Sequence, residues 1–541
     1  MVNLSNITKY AGGAPLINEA SFQINPNEKI GLVGPNGAGK TTFLRMIVGE
    51  ERPDKGAISI QSDVRIAYFS QKTGDLRGRT ALEEVIHGNQ RVSLLAKRLK
   101  SYEEKLCDPQ LEPEEMERIL EKMGDDQTEY EKLGGFDIET NAQVILTGLG
   151  IGPQDHGKPV EDFSSGWKMR IALAKVLIVY PDLILMDEPT NYLDMETILW
   201  LEEWLKNFKG SILMTTHDRD FMNRVVGKIV EVANGKVRSF TGNYDFYERE
   251  KSIRLRNNEA EFNRQQSMIK KEEDFIARFK ARASHASQVQ SRVKMVDKIE
   301  RVELIADDEE ISIELPEIAR GGNDVAVIRS LSKNWKNTDG SDKNIFSGLS
   351  ATIHRQNRIA VVGVNGAGKS TFLKVLCNQT PPSSGEVVIG PSMSVGYFGQ
   401  STIEELNGNA TIFEILQRKL PHSNDGTIRN LLAGFLFKGD EVFKKIKILS
   451  GGELTRVVLS YLLTTPYNCL VLDEPTNHLD IRSREVLLDT LKRYQGTLLL
   501  VSHDRFFLRE ITNRVFEVDH GKIKVYEGNY QYYLEQKGAP R

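Results

Sequence analysis

The feature that most constrains this chain is a set of short motifs that occurs twice, with the same distances between its members. The glycine-rich stretch from Gly34 to Thr41 returns almost unchanged from Gly363 to Ser370. In both copies 31 positions separate its lysine from a glutamine, 24 separate a later Phe or Leu from an aspartate, and 30 separate that aspartate from a histidine. Three equal intervals indicate one scaffold used twice.

One interval differs between the copies. The distance from the glutamine to the Phe or Leu is 92 positions in the first copy and 49 in the second, so the first copy carries about 43 additional residues. We place them within about 82–135 and predict two charged helices there, Arg91–Lys105 and Pro113–Lys132. Positive and negative side chains are mixed along both helices, so the pattern does not require phosphate binding.

The length of 541 residues exceeds what one hydrophobic core usually serves, which favours at least two domains. We predict an α/β domain over 1–244, a helical linker over 245–322 and a second α/β domain over 323–541. The stretch from about Tyr244 to Glu303 lacks Pro and Gly and is rich in helix formers. It predicts two long helices that break near Ser284–Ser287.

Composition excludes several classes of protein. The formal net charge of −4 does not fit a protein that coats nucleic acid with its whole surface, so any such contact must use a local basic patch. We find no apolar run of the roughly 20 residues that a membrane span requires, and no signal peptide. The three cysteines are far apart, which disfavours a zinc site and fits a cytoplasmic protein.

Each glycine-rich stretch follows a strand-like run and precedes a helix-like run, which is the context of a phosphate-binding loop. Glycines let backbone N–H groups surround a phosphate, and the helix N-terminus adds partial positive charge. We expect Lys40 and Lys369 to reach β- and γ-phosphate oxygens, and Thr41 and Ser370 to bind Mg²⁺. The expected phosphate contacts are Gly34, Asn36, Gly37, Gly39, Lys40, Thr41 and Thr42 in the first copy and Gly363, Asn365, Gly366, Gly368, Lys369, Ser370 and Thr371 in the second.

Two apolar strands each end in an acid pair, Asp187-Glu188 and Asp473-Glu474. Acids at the carboxyl ends of parallel strands lie where doubly wound sheets bind ligands. We expect both aspartates to hold Mg²⁺, directly or through water, and both glutamates to polarise the attacking water as general bases. Acids at solvated strand ends are the alternative, which the nearby phosphate loops disfavour.

Single histidines and glutamines mean little without their spacing. His217 and His503 each follow a strand by the same offset from the acids, which favours a contact with the γ-phosphate over a structural role. Gln71 and Gln400 occupy matching positions and are candidates for binding Mg²⁺ or the attacking water.

The segments Phe163–Trp167 and Leu449–Glu453 resemble the signature motif of ATP-binding-cassette proteins. In that family two cassettes close head to tail, so each ATP contacts the phosphate loop of one cassette and the signature of the other. The resemblance implies two tandem P-loop NTPase cassettes in one ATPase, which converts ATP and water to ADP and phosphate. It assigns Ser450, Gly451 and Gly452 to the site of Lys40, and Ser164 and Gly166 to the site of Lys369.

The resemblance covers nearly the whole chain and implies further contacts. Asp194 and Asp480 end the D-loops and are expected at the nucleotide sites. Tyr10 and Trp335 lie where the family stacks an aromatic side chain on adenine, although an ordinary core or surface aromatic is the alternative for each. The first signature departs from Leu-Ser-Gly-Gly-Gln at Phe163, Ser165 and Trp167. The departure puts in doubt the rate of ATP hydrolysis at the site that this signature completes.

The D-loops read Asn-Tyr-Leu-Asp and Asn-His-Leu-Asp, and with paired cassettes they resemble the ABC-F family of translation factors. This implies a monomer that pairs its own cassettes and binds the ribosome near the tRNA exit site, acting on rRNA and peptidyl-tRNA. The 82–135 insertion would be a modest arm toward the ribosome. The alternatives are the ATPase component of an ABC transporter and a DNA-associated ABC ATPase.

The linker carries a basic stretch that fits RNA phosphate contact, where affinity is largely electrostatic. Composition alone would favour a solvated helix face, and the surrounding cassette pair favours tRNA. The expected RNA contacts are Arg278, Lys280, Arg282, His285, Arg292 and Lys294.

Overall fold

A computed structural model describes residues 1–70, 77–107, 112–191, 193–279, 286–299, 301, 313, 315–336, 342–437, 439–477, 479–519 and 521–537. We refer to residues 1–244 as the first half and to residues 323–541 as the second half.

The first half contains a mixed six-stranded sheet and a smaller antiparallel sheet among the residues that the structure describes. Its strands are β1 (Val2–Ala11), β2 (Ala14–Ile24), β3 (Lys29–Val33), β4 (Lys55–Ile60), β5 (Ile66–Phe69), β6 (Leu183–Asp187), β7 (Ser211–Thr215), β8 (Lys228–Ala233) and β9 (Lys236–Thr241). Its helices are α1 (Lys40–Val48), α2 (Ala81–Gly88), α3 (Gln90–Leu106), α4 (Pro113–Lys132), α5 (Ile138–Gly148), α6 (Ser165–Leu177), α7 (Met195–Asn207) and α8 (Arg219–Val225).

The large sheet has the order β5-β6-β7-β3-β8-β9. All neighbouring pairs are parallel except β8 and β9. Strand β6 is buried along its whole length, as its continuous apolar run predicts for a strand covered on both faces. In this parallel register Asp187 lies opposite Thr215, which brings the carboxyl ends of β6 and β7 together.

The second half repeats this plan in the order β14-β15-β16-β12-β17-β18. Its strands are β10 (Asp324–Lys336), β11 (Asp342–His354), β12 (Arg358–Val362), β13 (Ser384–Ile389), β14 (Val395–Phe398), β15 (Cys469–Asp473), β16 (Thr497–Val501), β17 (Arg514–Asp519) and β18 (Lys522–Tyr526). Its helices are α11 (Lys369–Leu376), α12 (Gln400–Glu404), α13 (Ile412–Lys419), α14 (Asp425–Gly434), α15 (Gly451–Thr464), α16 (Ile481–Arg493), α17 (Arg505–Ile511) and α18 (Tyr530–Gln536).

Helices α3 and α4 form an antiparallel pair in the segment where the sequence indicates two charged helices. Arg91 forms an ion pair with Glu129 across the pair, and the Tyr102 hydroxyl donates to Asp126 at 3.2 Å. Helix α2 lies within the range 82–135 but corresponds to α13 of the second half. The evidence for this correspondence is that both helices begin with the same Thr/Glu capping box. The part without a counterpart is therefore narrower than 82–135 and centres on α3 and α4.

Among its described residues the linker has two helices, the long α9 (Tyr244–Phe279) and the shorter α10 (Ala286–Asp297), which pack against each other. Arg292 on α10 pairs with Glu272 on α9, and its guanidinium lies 4.0 Å from the ring centre of Phe275. The helix break was expected near Ser284–Ser287; Ser284 and His285 lie outside the described residues, whereas Ala286 and Ser287 belong to α10. Within the described ranges, none of the helices has both the length and the apolar character that a membrane span needs.

Candidate functional site

The glycine-rich loops take backbone conformations that only glycine tolerates. Gly34 has φ 154°, and a Cβ there would lie 2.2 Å from the carbonyl oxygen of Val232. Gly363 repeats this with φ 146° and the same 2.2 Å approach to Val518. The loops therefore fold tightly against β8 and β17, and each leads directly into the N-terminus of α1 or α11.

The lysine of each loop bends back over the loop itself. Lys40 Nζ donates to Gly34 O at 2.8 Å, and Lys369 Nζ donates to Gly363 O at 2.7 Å. Burial lowers the pKa of both ammonium groups, against the opposing charges of nearby carboxylates. An anion placed in either loop would meet a cation that is already largely withdrawn from water.

Oxygen atoms suited to a hard cation meet next to each loop. Thr41 Oγ1 donates to Asp187 Oδ2 at 2.8 Å, and the other oxygen of Asp187 accepts from Thr215 at 2.8 Å. In the second half a hydrogen bond joins Ser370 to Asp473, whose Oδ1 is buried without a partner among the described residues. Hydroxyl and carboxylate oxygens are ligands that Mg²⁺ takes, so these residues fit the expected ion.

The glutamates that follow these aspartates have a strained backbone and buried carboxyl oxygens. Glu188 and Glu474 have φ values of 54° and 53°, in the left-handed region that non-glycine residues rarely occupy. Burial raises the pKa of each carboxyl group to about 7. Both side chains are therefore poised to exchange a proton near neutral pH.

A histidine contacts each glutamate. His217 Nε2 lies 3.2 Å from Glu188 Oε1, and His503 Nε2 lies 3.2 Å from Glu474 Oε1. Burial lowers the pKa of both imidazoles to about 3, so the rings are neutral at physiological pH. A neutral ring can donate one N–H to a glutamate or to a phosphate oxygen in its place.

The two halves meet along a seam that runs through both sites. The Asn365 N–H donates to Asp194 Oδ2 at 3.3 Å, and Arg484 Nη1 donates to the His217 carbonyl oxygen at 3.1 Å. Ion pairs across the seam join Arg505 to Glu202, Arg509 to Asp220 and Arg219 to Glu485.

A cavity of about 510 Å³ at the second phosphate loop is lined by residues of both halves. The first half contributes Ser164, Gly166 and Trp167. The second half contributes Lys369, Ser370, Thr371, Asn365, Gly366, Gly368, Asp473, Glu474 and His503. The structure thus brings the first signature-like segment to the second phosphate loop, as the resemblance implies.

At the first phosphate loop the arrangement is less complete. A cavity of about 390 Å³ beside Thr41 and Asp187 is lined by residues of the first half alone. Ser450 caps α15 by accepting from the Glu453 N–H, so it begins the helix that carries Gly451 and Gly452. From the second half, the charge of Asp480 acts on Lys40.

Other predicted contacts lie further away. Tyr10 and Trp335 are 44% and 46% exposed, and neither is among the described residues that line the two cavities. Gln400 is exposed and its Nε2 donates to Glu404 at 3.3 Å. Gln71 lies outside the described residues.

Two arginines at the sites are not among the residues predicted from the sequence. Arg170, buried on α6, pairs with Asp194 at 3.1 Å and holds the D-loop beside the second cavity. Burial opposes ionisation of Asp194, but Arg170 and hydrogen bonds from Thr197 lower its pKa to about 2. Arg484 lines the same cavity and contacts the other half. Arg170 had a detectable signal, because it is a lone charge on an otherwise apolar helix face; Arg484 lies on a polar helix and had none.

The described linker residues divide into two kinds. Arg278 and Lys294 are exposed, whereas Arg292 is held by its contacts with Glu272 and Phe275. Lys280, Arg282 and His285 lie outside the described residues.

Comparisons with known proteins agree with this arrangement. A family model described as ABC transporter matches residues 17–191 and 346–477, and a second model with that description matches residues 230–315. ABC transporter F family member 5 of Arabidopsis thaliana is 35% identical over 539 residues, covering 99% of this chain and 77% of that protein. The putative ATP-binding protein YdiF of Bacillus subtilis is 35% identical, covering 99% of this chain and 83% of that protein.

Solved structures show the same fold. The complex of archaeal ribosomal stalk protein aP1 and archaeal ribosome recycling factor aABCE1 contains a chain that matches with a TM-score of 0.61 at 17% identity. The match covers 98% of this chain and 92% of that one. Duplicated phosphate loops, matches to the ABC transporter model in both halves and a relative named as an F family member that aligns with 99% of this chain all agree, and the chain belongs to the ABC-F family of tandem ATP-binding-cassette proteins.

Proposed function

We propose that this ABC-F protein hydrolyses ATP to ADP and phosphate at the seam between its halves and that its ATP-bound form binds the ribosome. The observation that supports hydrolysis best is the cavity at the second phosphate loop, which has walls from both halves. Residues from both sides of a seam make nucleotide occupancy and closure depend on each other.

The residues at each site divide the work of hydrolysis. The loop backbone and Lys40 or Lys369 bind the β- and γ-phosphates, while Glu188 or Glu474 accepts the proton of the attacking water. His217 or His503 orients that glutamate or the γ-phosphate. Mg²⁺, held by Thr41 with Asp187 and by Ser370 with Asp473, would supply positive charge to the β- and γ-phosphates.

The ribosome is the partner that membership of the ABC-F family favours. We infer binding near the tRNA exit site, with the linker acting on peptidyl-tRNA and rRNA in the cytoplasm and one chain pairing its own halves. Arg278 and Lys294 are exposed near the ends of α9 and α10, where phosphates can approach them. The net charge of −4 fits contact through such a local basic patch.

Sedimentation with ribosomes tests this proposal. In the double variant Glu188→Gln with Glu474→Gln, ATP should remain bound and the protein should sediment with ribosomes in ATP but not in ADP. The expected loss of hydrolysis is at least about 100-fold, the usual contribution of a general base. A double variant that turns over ATP at the original rate would show that these glutamates are not the bases.

A matched pair of linker variants separates ribosome binding from hydrolysis. In the trapped background, Arg278→Glu with Lys294→Glu should weaken ribosome binding and reduce its salt dependence. Arg249→Glu with Arg256→Glu, on the part of α9 next to the first half, makes the same charge change and should leave binding unchanged. Equal effects of the two pairs would argue against contact through the part of the linker that carries Arg278 and Lys294.

A further inference from the structure

The two halves hold the aspartates beside their phosphate loops differently. Both oxygens of Asp187 have a donor, because Oδ2 accepts from Thr41 and Oδ1 accepts from Thr215, each at 2.8 Å. Asp187 and Asp473 are 286 positions apart, and the same offset pairs Thr215 with Val501. In both sheets this residue lies opposite the aspartate on the neighbouring strand. The second half therefore has a methyl group where the first half has a hydroxyl that holds the aspartate.

Asp473 consequently keeps an oxygen without a donor. Its Oδ1 is buried and accepts no hydrogen bond from the described residues. Burial and the charge of Glu474 raise the pKa of Asp473, against the effects of Ser370, Lys369 and Lys374 on α11. A buried carboxyl oxygen without a donor lowers stability, and native proteins rarely contain one. A donor within reach of Oδ1, or of one water bound to it, is therefore expected nearby.

Tyr397 supplies a hydroxyl that also has no partner. It is the last but one residue of β14, the strand that pairs in parallel with β15, and Asp473 ends β15. Tyr397 is 8% exposed, and its hydroxyl is buried without a hydrogen bond to any described residue. Burial and the charge of the nearby Asp473 raise the pKa of this hydroxyl, so it keeps its proton and can donate. A buried donor and a buried acceptor thus lie close to each other, and both are unsatisfied.

The position of the Tyr397 ring directs its hydroxyl toward the site. Gly399 continues β14 in an extended conformation, so positions 397 and 399 point to the same face. A Cβ on Gly399 would lie 2.5 Å from the hydroxyl oxygen of Tyr397 and 2.7 Å from the ring carbon that carries it. The ring therefore leans toward the carboxyl end of the sheet, where Asp473 lies. The offset of 329 positions between the two phosphate loops pairs Gly399 with Ser70, whose side chain would occupy this space in the first half.

The equivalent Tyr68 of the first half has a different setting. Burial and the charge of Asp187 raise its pKa to about 12, and the charge of Arg45 opposes this rise. The Tyr68 hydroxyl is likewise without a hydrogen-bond partner among the described residues. Asp187 does not depend on it, however, because Thr41 and Thr215 already donate to both carboxyl oxygens.

We propose that the Tyr397 hydroxyl positions Asp473 at the second site, directly or through one ordered water, in the role that Thr215 has at the first site. A donor at Oδ1 fixes the orientation of the carboxylate and leaves its other oxygen for Ser370 and the metal ion. Tyr397 is thus a positioning residue and not a metal ligand. The inference rests on the proposed binding of Mg²⁺ by Asp473.

Binding of Mn²⁺ together with ADP tests the proposal without requiring closure or hydrolysis. Mn²⁺ takes the same oxygen ligands as Mg²⁺, and electron paramagnetic resonance measures the free ion. In full-length protein with Lys40→Ala, which impairs the first phosphate loop, Tyr397→Phe should weaken Mn²⁺ binding about tenfold, the lower end of the effect typical for a group that orients a metal ligand. Affinity for ADP without metal should not change, because the second phosphate loop is intact.

A rescue variant and a matched control separate positioning from packing. Val501→Thr places at the second site the hydroxyl that Thr215 supplies at the first, so together with Tyr397→Phe it should restore most of the Mn²⁺ affinity. In protein with Lys369→Ala, which reports on the first site, Tyr68→Phe removes the equivalent hydroxyl. Its Mn²⁺ affinity should be unchanged, because Thr215 still donates to the aspartate there.

Several results would overturn the proposal. Unchanged Mn²⁺ affinity in Tyr397→Phe, or a loss that Val501→Thr does not restore, would contradict positioning by the hydroxyl. An equal loss in Tyr68→Phe would indicate a packing effect common to both tyrosines. Each of these results leaves the proposed function standing. Absence of Mn²⁺ binding in the Lys40→Ala protein itself would instead remove the proposed metal site, and this inference with it.

Discussion

Glu188 and Glu474 combine a left-handed backbone with buried carboxyl oxygens. The backbone conformation disfavours the folded state, and the burial disfavours the charged form of the carboxyl group. A residue of this kind lowers the stability of the folded protein, and such residues cluster at functional sites. In the absence of nucleotide the cost depends on pH, because burial raises the pKa of each group to about 7 from an ordinary value near 4.5.

The sign of this dependence follows from proton uptake. Between about pH 4.5 and pH 7 the folded protein keeps a proton that the unfolded chain releases, so stability falls as pH rises through this window. We expect Glu474→Gln to raise the apparent melting temperature at about pH 8 and to change it little at about pH 4.5. The free-energy difference is on the order of 3 kcal/mol, since the pKa rises from 4.5 to about 7 and one pKa unit corresponds to about 1.4 kcal/mol.

Thermal unfolding at several pH values, without nucleotide, provides the measurement. The exposed Glu139→Gln on α5 is the control and should show no such pH-dependent gain. An equal shift of Glu474→Gln at both ends of the pH range would contradict a raised pKa.

A residue's role at the sites was predictable from the sequence when it depends on local backbone geometry, and was not predictable when it depends on how the two halves dock. Gly34 and Gly363 were predictable because a phosphate loop requires backbone that only glycine can adopt. The placement of Arg484 was not, since it depends on how two separately folded halves dock. Tyr10 and Trp335 remain predictions, because stacking on adenine involves a ligand rather than another part of the chain.

At the scale of elements, the two helices whose bounds were predicted from the sequence lie close to where the structure has them. The predicted helices Arg91–Lys105 and Pro113–Lys132 correspond to α3 and α4 within a residue or two. The ends of the insertion were less predictable. The correspondence of α2 with α13 rests on the capping box at the start of each helix, and the distances between motifs in the sequence do not reveal this local geometry.

The α3–α4 pair is expected to serve binding rather than catalysis. Replacing residues 89–137 by the shorter second-half connection, residues 420–424, should weaken ribosome binding and leave ATP hydrolysis within about twofold. Sedimentation of the trapped form with ribosomes and a phosphate-release assay would measure the two effects separately. The charge variant Arg91→Glu, which breaks only an exposed ion pair, is a milder control. Unchanged ribosome binding after the replacement would remove the role we assign to this element.

At the scale of the whole molecule, the seam contains an ion pair that is almost fully buried. The side chains of Arg505 and Glu202 are 4% and 2% exposed and come from different halves. Each side chain also has a second partner in the first half, since Arg224 pairs with Glu202 at 3.3 Å and Asp218 lies 3.8 Å from Arg505. Removing one member of the pair therefore leaves the other only partly compensated and should cost less than the roughly 3–5 kcal/mol typical of a fully stranded buried charge.

A double-mutant cycle follows from this burial. Arg505→Leu and Glu202→Leu should each lower the apparent melting temperature and slow ATP hydrolysis, and the combined variant should recover part of both losses. The exposed pair Arg329 and Glu386, at 67% and 56% exposure, is the matched control, and its cycle should show a coupling of at most about 1 kcal/mol. Additive losses at the seam would show that the halves do not meet in solution as described.

The duplicated motifs allowed the fold of each half to be predicted from the sequence. The head-to-tail pairing of the halves was predicted from the resemblance to the family. Docking details did not follow, because complementary charges such as Arg509 and Asp220 are far apart in the chain and show no spacing pattern. The packing of Ile313 and Leu315 against the hydrophobic core of the second half was equally hidden, since both look like ordinary linker residues in the sequence.

The contact of Arg484 with the His217 carbonyl has no mirror image, because Ile198 stands at the corresponding place in the other half. In a dimer of identical subunits the two nucleotide sites have the same residues. In a single chain that contains both copies, the residues of one site can differ permanently from those of the other. The two sites are therefore inequivalent by construction: Arg484 of the second half contacts the histidine of the first site, and the residue at the corresponding place in the first half, Ile198, has no polar group with which to do the same.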